Sequence, residues 1–234
     1  MTQQIREGLF FRVAVLLPRG RHTLTREQVR AAQSERLLAA FTELMAERGY
    51  RGVRVGEVAA RAGVSRAAFY ECFADKEECA FVAYDRFISV LLERLNAETS
   101  SAQDWEGFIA GLMESYLGTL QQDLVVARAF QVEMDAVGPQ ARDRRRRALV
   151  RFAEFIRLQR QRFGIADELP MTAYLGVVYS ARQIASDLLD SEDTPDLLAR
   201  APELSSWMSD LLGPRRKIAS RTGVGRPGRA PRAA

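Results

Sequence analysis

The sequence predicts an all-α protein, and three observations lead to that fold class. Apolar side chains recur at three- and four-residue steps along most of the 234 residues, which is the period of an amphipathic helix. Prolines 139, 170, 195 and 214 fall near the ends of the periodic segments, where a helix tolerates proline. No segment alternates apolar and polar residues as a half-buried strand does. We expect about nine or ten helices.

The first elements are marked by capping residues. Thr25 and Gln28 have the spacing of a capping box, and the apolar face that follows indicates a helix ending at Gly49. Two short helical patterns come next, separated by Gly63. A second capping box at residues 75–78 opens a longer helix. Later helices are predicted at 104–121, 123–135, 140–162, 170–190 and 195–212.

Composition excludes several classes of protein. Two cysteines, Cys72 and Cys79, cannot cross-link a chain of this length and are typical of reduced, cytoplasmic thiols. A single histidine, His22, argues against a histidine-based metal site or acid–base chemistry, so we expect no metal and no cofactor. No nucleophile–base set, phosphate loop or dinucleotide fingerprint is visible, and an enzyme is therefore not expected. No run of 18 apolar residues predicts a membrane span.

The formal net charge of +4 is unevenly distributed. Residues 1–76 carry 13 basic and 8 acidic side chains, whereas residues 77–210 carry 14 and 22. Residues 211–234 carry 7 basic side chains and no acidic one. This division predicts a front segment suited to a polyanion, a body that is not, and a disordered basic tail over 214–234.

The segment from Val55 to Phe73 has the pattern of a helix-turn-helix. Gly63 allows the tight turn between the two short helices, and Ala59 is small where they approach one another. Ser65 can cap the second helix, whose first residues would face the major groove of DNA. An ordinary corner between two helices is the alternative that this pattern alone leaves open.

Read with its neighbours, this segment resembles the TetR family of bacterial helix-turn-helix transcription regulators. The resemblance runs from Thr25 to Tyr84 and rests on four short motifs. These are Glu47-Arg-Gly-Tyr50, Ala62-Gly-Val-Ser65, Phe69-Tyr70 with Phe73, and Asp75-Lys76-Glu77. The later part of the chain matches the family only in length and helical layout.

The resemblance implies a ligand-responsive regulator, most often a repressor, that binds a near-palindromic double-stranded DNA operator as a cytoplasmic homodimer. A small-molecule effector, not identifiable from the sequence, would release the DNA. It also implies two domains: a three-helix DNA-binding domain at 23–76 and a helical ligand-binding and dimerisation domain at 77–213. Residues 1–22 lack helical periodicity and are predicted to form a flexible basic arm. A regulator without an effector, and a thiol switch through Cys72 and Cys79, are the alternatives.

Residue roles in DNA binding follow from the same resemblance. Tyr70 and Lys76 match phosphate contacts, Ser65 begins the recognition helix, and Arg66 is the candidate for bidentate contact with guanine. Three departures stand out: Arg54 replaces the usual hydroxyl cap, Gly56 weakens the first turn, and the recognition helix carries Ala67 and Ala68. We expect those two alanines to contact thymine methyl groups, and Arg54 to bind a phosphate.

Alanine side chains form no hydrogen bonds with DNA bases, so Ala67 and Ala68 contribute little to sequence recognition. We therefore expect the basic segments at the two ends of the chain to make further contacts with DNA. Pro18-Arg-Gly-Arg-His22 resembles the core of an AT-hook, and Arg19 and Arg21 could enter a narrow minor groove. Residues 225–229, Gly-Arg-Pro-Gly-Arg, resemble the AT-hook core less closely. A solvated basic segment is the alternative for both.

The body supplies candidates for a ligand pocket and a dimer interface. Pocket candidates are aromatic, sulfur-containing or acidic side chains: Phe108, Met113, Tyr116, Phe130, Glu133, Met134, Phe155, Tyr174 and Tyr179. The resemblance assigns the last two helices to a dimeric four-helix bundle. The apolar side chains of this segment that are predicted to form the interface are Leu175, Val178, Ile184, Leu188, Leu197, Leu204, Trp207 and Leu211.

Overall fold

The computed structural model describes residues 4–6, 8–12, 24–166 and 169–214. Over these residues it contains helices and no strand, as predicted. Two 3₁₀ turns, Glu133–Val137 and Leu198–Arg200, interrupt the later part. The α-helices are α1 (Arg26–Gly52), α2 (Val55–Ala62), α3 (Arg66–Cys72), α4 (Lys76–Thr99), α5 (Trp105–Gln122), α6 (Leu124–Gln131), α7 (Pro139–Arg162), α8 (Met171–Ser191) and α9 (Ala201–Leu212).

Side-chain caps set most helix starts at the predicted places. Thr25 and Gln28 form the reciprocal capping box at the start of α1. Asp75 accepts the backbone N–H of Glu78, while the Glu78 carboxylate turns to the N–H of Ala74 rather than closing the box on Asp75. Asp104 caps α5 through the N–H of Gly107.

Two predicted helices are shorter than expected. The segment 123–135 is α-helical only to Gln131 and then tightens into the 3₁₀ turn Glu133–Val137. The last helix begins at Ala201 rather than at residue 195, because the chain first makes the 3₁₀ turn Leu198–Arg200. Both corrections fall where periodicity continues while the hydrogen-bond pattern changes.

The body of the protein is built from α4 to α9. Helix α5 packs against α9 and α4, and α7 packs against α8. Their buried faces form one apolar core that continues into the first three helices. Within the described residues, no helix is long and apolar enough to cross a membrane.

Helix α1 belongs to both parts of the molecule. It contacts α2 and α3 on one side and α4, α6 and the turn Glu133–Val137 on the other. Its buried side chains include Leu37, Leu38, Phe41 and Leu44, each almost completely enclosed. Near its end, Gly49 has φ +69° and ψ 159°, which breaks the helix at the predicted residue and turns the chain toward α2.

The segment at the N-terminus corrects the prediction of a flexible arm. Ile5, Phe10 and Phe11 are all buried in the core. The rings of Phe10 and Phe87 lie 5.4 Å apart between centroids, and the guanidinium of Arg86 lies 5.7 Å from the centroid of the Phe11 ring. The sequence reasoning read only the missing helical period, whereas burial does not require a helix.

Backbone groups of this segment are held by carboxylates from two helices. Asp123, the cap of α6, accepts the N–H of Arg6 at 2.9 Å, and Glu43 of α1 accepts the N–H of Ile5 at 3.2 Å. Glu35 of α1 accepts the N–H of Arg12 at 3.2 Å. We call residues 4–6 and 8–12 the N-terminal strap, because they connect α1, α4 and α6.

The strap predicts a stability test. Replacement Phe11→Ala should lower the free energy of unfolding by about 3 kcal/mol, because it empties a fully enclosed aromatic site. Urea denaturation followed by circular dichroism measures the change. Arg12→Ala, at an exposed position, is the control; a loss below about 1 kcal/mol for Phe11→Ala would show that the strap is not part of the core.

Candidate nucleic-acid interface and ligand cavity

Helices α2 and α3 meet at a glycine turn. Gly63 has φ +64°, a left-handed conformation that glycine adopts without strain, and it ends α2. Val64 donates its N–H to the carbonyl of Ala59 at 2.9 Å. Val58, Ala59 and Phe69 are buried between the two helices, so the helix-turn-helix has the packed inner face that the sequence predicts.

The outer face of α3 presents a short surface for recognition. Ser65 caps the helix by accepting the N–H of Ala68 at 3.0 Å. Arg66 and Ala67 are exposed, and Tyr70, with 51% of its surface exposed, lies one turn further along the same face. Ala68 is buried, so its predicted contact with DNA has to be corrected: it fills the wedge toward α2 instead.

Two arginines share the exposed edge where α2 begins. Arg54 is exposed and makes no capping hydrogen bond to α2, as its side chain leads one to expect. A Cβ placed on Gly56 would lie 3.9 Å from Cδ of Arg66, so the Arg66 side chain runs alongside the start of α2. The small residue at 56 weakens the helix, although a Cβ there would stand at ordinary contact distance from the arginine.

Ion pairs fix α2 on the end of α1. Arg61 donates to both carboxylate oxygens of Glu47, at 2.7 and 3.0 Å. Arg48 donates to Glu57 at 3.0 Å. The hydrogen bond and charge of Arg61 lower the pKa of Glu47, so this pair contributes stability at neutral pH that is lost when the pH falls through that lowered pKa.

Lys76 has a structural role that the sequence reasoning missed. Its ammonium donates to the carbonyls of Tyr50 at 3.2 Å and Val53 at 3.1 Å, and it lies 4.3 Å from the centroid of the Tyr50 ring. These carbonyls lie at the end of α1, where the regular helical hydrogen bonds stop, and the Tyr50 carbonyl also accepts the N–H of Val53. Lys76 therefore forms a cap that joins α4 to α1, and its predicted phosphate contact stays a prediction.

Neither cysteine has the environment of a reactive thiol. Cys79 is buried, and burial raises the pKa of its thiol well above the usual range. Burial also raises the pKa of Cys72, whose sulfur lies 3.8 Å from the carbonyl oxygen of Arg30. A raised pKa lowers the thiolate fraction, which argues against the thiol-switch alternative.

A cavity of about 50 Å³ lies inside the body of the protein. Its wall is predominantly apolar and is built from α4, α5, α6, α7, α8 and Met208 of α9. Four of the predicted pocket residues line it: Met113, Tyr116, Phe130 and Phe155.

The remaining pocket predictions have to be corrected. Phe108, Met134 and Tyr174 are fully buried away from the cavity. Phe108 instead stacks on Trp105, with 5.4 Å between the ring centroids. Glu133 lies against Gly49 of α1, and Tyr179 has 41% of its surface exposed.

Three polar side chains of the cavity wall escaped the sequence reasoning. Tyr84, Gln131 and Arg182 lie there beside the predicted Tyr116, and Arg182 is buried although it is charged. A signal was available: Arg182 follows Val178 by four residues on the apolar face of α8, where a cation is unusual. The apolar period of a helix is recognisable despite one charged residue, so periodicity alone does not single out Arg182.

The dimer candidates divide into two groups. Val178, Leu197 and Leu204 are buried within the single chain, so their assignment to an interface has to be corrected. Leu211 has 52% of its surface exposed. The other four are partly exposed while packing against the core: Leu175, Ile184, Leu188 and Trp207. The predictions for Arg19, Arg21 and the tail lie outside the described residues.

Comparison with known proteins identifies this arrangement. Residues 37–82, which span the helix-turn-helix and its flanking helices, match the family model of the bacterial regulatory proteins of the tetR family. No curated protein matches the chain in sequence.

Solved structures extend the likeness to the body. The fatty acid degradation regulator FadR from Bacillus halodurans aligns with a TM-score of 0.68 and 18% identity, over 75% of this chain and 94% of that one. FadR from Bacillus subtilis in complex with stearoyl-CoA aligns at 0.67 and 18%, over 77% and 98%. A transcriptional regulator from Rhodococcus sp. Rha1 aligns at 0.57 and 26%, over 77% and 94%.

The fold and the exposed recognition helix thus define a helix-turn-helix DNA-binding protein. Residues 37–82 carry a DNA-binding domain of the tetR family of bacterial regulatory proteins. Regulators of this family bind DNA and small-molecule ligands.

The cap at the end of α1 predicts the effect of Lys76→Met. Loss of two charge-assisted hydrogen bonds should lower the free energy of unfolding by about 2 kcal/mol, measured by urea denaturation. Tyr70→Phe, which removes only an exposed hydroxyl, is the matched control and should leave stability unchanged. Equal free energies of unfolding for the Lys76 variant and the wild type would show that this cap does not stabilise the fold.

Proposed function

We propose that this protein is a cytoplasmic transcriptional repressor that binds a near-palindromic operator as a homodimer and is released from it by a small molecule. One observation carries the proposal: α1 joins the exposed recognition face of α3 to α6, which lines the apolar cavity. A ligand in the cavity therefore has a packed route to the DNA-binding surface.

On the DNA side, the exposed cations determine what can be read. Arg66 is free to form two parallel hydrogen bonds with the O6 and N7 of guanine, the commonest specific contact in the major groove. Tyr70 can donate its hydroxyl to a phosphate while the edge of its ring remains packed on Phe69, 5.5 Å away. Arg54, at the start of α2, has the position of a phosphate contact.

The ligand side is supported by the apolar cavity and by the relatives. The Bacillus subtilis relative binds stearoyl-CoA, a molecule with a long apolar body. The cavity here is smaller than the roughly 300–1,000 Å³ of a typical ligand site, so a ligand must displace its walls on entry. Phe130 of α6 is one wall, and its ring lies 5.2 Å from that of Phe87, which contacts the strap.

Homodimer formation through α8 and α9 is supported by exposed apolar side chains. Leu211 at the end of α9 and Tyr179 on α8 both expose large apolar surface. Two recognition helices in such a dimer would read half-sites about 34–36 Å apart, which requires a fixed distance between the copies.

Operator recognition is tested with Arg66→Ala. An operator is first selected from random DNA with the wild-type protein. The variant should then lose about 1–3 kcal/mol of binding free energy and its preference at one base pair of each half-site. Fluorescence anisotropy measures the affinity. Arg151→Ala, exposed on α7, is the control; a uniform loss at all sequences would make Arg66 a phosphate contact instead.

The dimer surface is tested with Leu211→Asp. A charge in the centre of an apolar interface should shift the protein to monomers and weaken operator binding at least about tenfold. Light scattering coupled to size-exclusion chromatography reports the mass. Leu158→Asp is the matched control, because Leu158 is equally exposed, at 56%, but lies on α7. A dimeric Leu211 variant would place the interface elsewhere.

A further inference from the structure

We propose that the cavity binds an amphiphilic carboxylic acid, with the carboxylate held by Arg182 and an apolar body lying among the surrounding side chains. This inference rests on the proposed function and specifies the ligand class of the same site. It comes from the charge and hydrogen bonding of the cavity wall.

Arg182 is a buried cation with an incomplete set of partners. Only 9% of its surface is exposed, and its side chain lies on the cavity wall. Its Nη2 donates to the carbonyl oxygen of Gln131 at 2.7 Å. Among the described residues, no carboxylate forms an ion pair with it. Because a buried charge is costly unless paired, the site favours an incoming anion.

The neighbouring polar groups suit the same ligand. Burial raises the pKa of Tyr84 and of Tyr116, so both phenols stay protonated at neutral pH and keep a proton to donate. The Gln131 side chain hydrogen-bonds Tyr116, while its Oε1 atom is buried without a partner. A guanidinium with two phenol donors can bind both oxygens of a carboxylate.

The acidic residues nearby do not favour a cationic ligand. Glu133, one of the predicted pocket residues, lies outside the cavity against Gly49. Asp135 forms an ion pair with Arg145. No aspartate or glutamate is among the residues that line the cavity. The charge available to a ligand is therefore positive.

The apolar part of the cavity wall determines the chemical character of the ligand beyond its carboxylate. Apart from the polar group around Arg182, the lining is aliphatic, aromatic or thioether, contributed by residues such as Leu91, Leu112, Phe152 and Ile156. Met113 and Met208 have flexible side chains that can move aside as the cavity widens. A purely polar anion would leave this surface unfilled, so the ligand needs an apolar chain or ring.

Anion binding at Arg182 also suggests how the signal leaves the cavity. Arg182 and Ser186 both donate to the carbonyl of Gln131, the last residue of α6. Two residues later, Glu133 begins the 3₁₀ turn that packs on α1 beside Gly49. A carboxylate that draws the guanidinium toward itself weakens its hold on Gln131 and frees this turn to shift against α1.

Matched acids and alcohols test the inference on the full chain. Isothermal titration calorimetry compares decanoate with 1-decanol and 4-phenylbutanoate with 4-phenylbutanol. We expect at least one acid to bind about tenfold or more tightly than its alcohol, because only the acid pairs with Arg182. Arg182→Gln should remove that preference, while Arg151→Gln on exposed α7 should keep it. The bound acid should also weaken operator binding.

Three results would overturn the inference: equal binding of acids and alcohols by the wild type, an unchanged preference in Arg182→Gln, or failure of all four compounds to bind. Arg182→Lys keeps the charge and should keep the preference, which guards against loss of fold in the glutamine variant. Operator binding by the ligand-free wild type tests the proposed function separately, and its failure would not affect the preference for acids.

Discussion

The contact between α1 and α6 is the interaction on which the rest of the structure depends. Helix α1 positions α2 and α3, whereas α6 lines the cavity. The N-terminal strap strengthens this junction, since Asp123 both caps α6 and accepts the N–H of Arg6. Because this junction is closely packed, loose packing would not absorb a small displacement of α6. In the proposed response to a ligand, the displacement would reach the recognition helix.

Cations from other elements complete the ends of four helices. Lys76 caps α1, Arg128 donates to the carbonyl of Leu189 in α8, and Arg160 donates to that of Leu212 in α9. Arg182 does the same for Gln131 of α6. Each donates to a carbonyl at the end of a helix and is favoured there by the helix dipole. Helix ends are thus held by tertiary contacts, and Arg182 alone among these four cations also borders the cavity.

The sequence predicts well whatever depends on near neighbours along the chain. Thr25, Ser65 and Gly63 are recognisable because caps and turns involve residues a few positions apart. The recognition face follows for the same reason, from Arg66 to Tyr70. For the body, the sequence predicts the order of the helices but not all of their bounds. A 3₁₀ turn and an α-helix have nearly the same apolar period, so the two are not told apart.

Roles that depend on distant partners could not be predicted in this way. Lys76 has carbonyls at the end of α1 within reach only because α4 folds back on them, and Ala68 is buried because α3 packs against α1 and α2. The strap has no period to read, and its burial comes from α1, α4 and α6 together. Cavity residues likewise share a location rather than a sequence pattern, so aromatic content selected Phe108 and overlooked Arg182.

The kink at Gly49 has a consequence for how this sequence can change in evolution. A Cβ at that position would lie 2.9 Å from Oε2 of Glu133, and the positive φ would strain any other residue. The Glu133 carboxylate is the end of a flexible side chain and can move aside, so the backbone conformation is the stronger of the two constraints. Any substitution at position 49 therefore requires a rebuilt turn before α2, whichever residue stands at position 133.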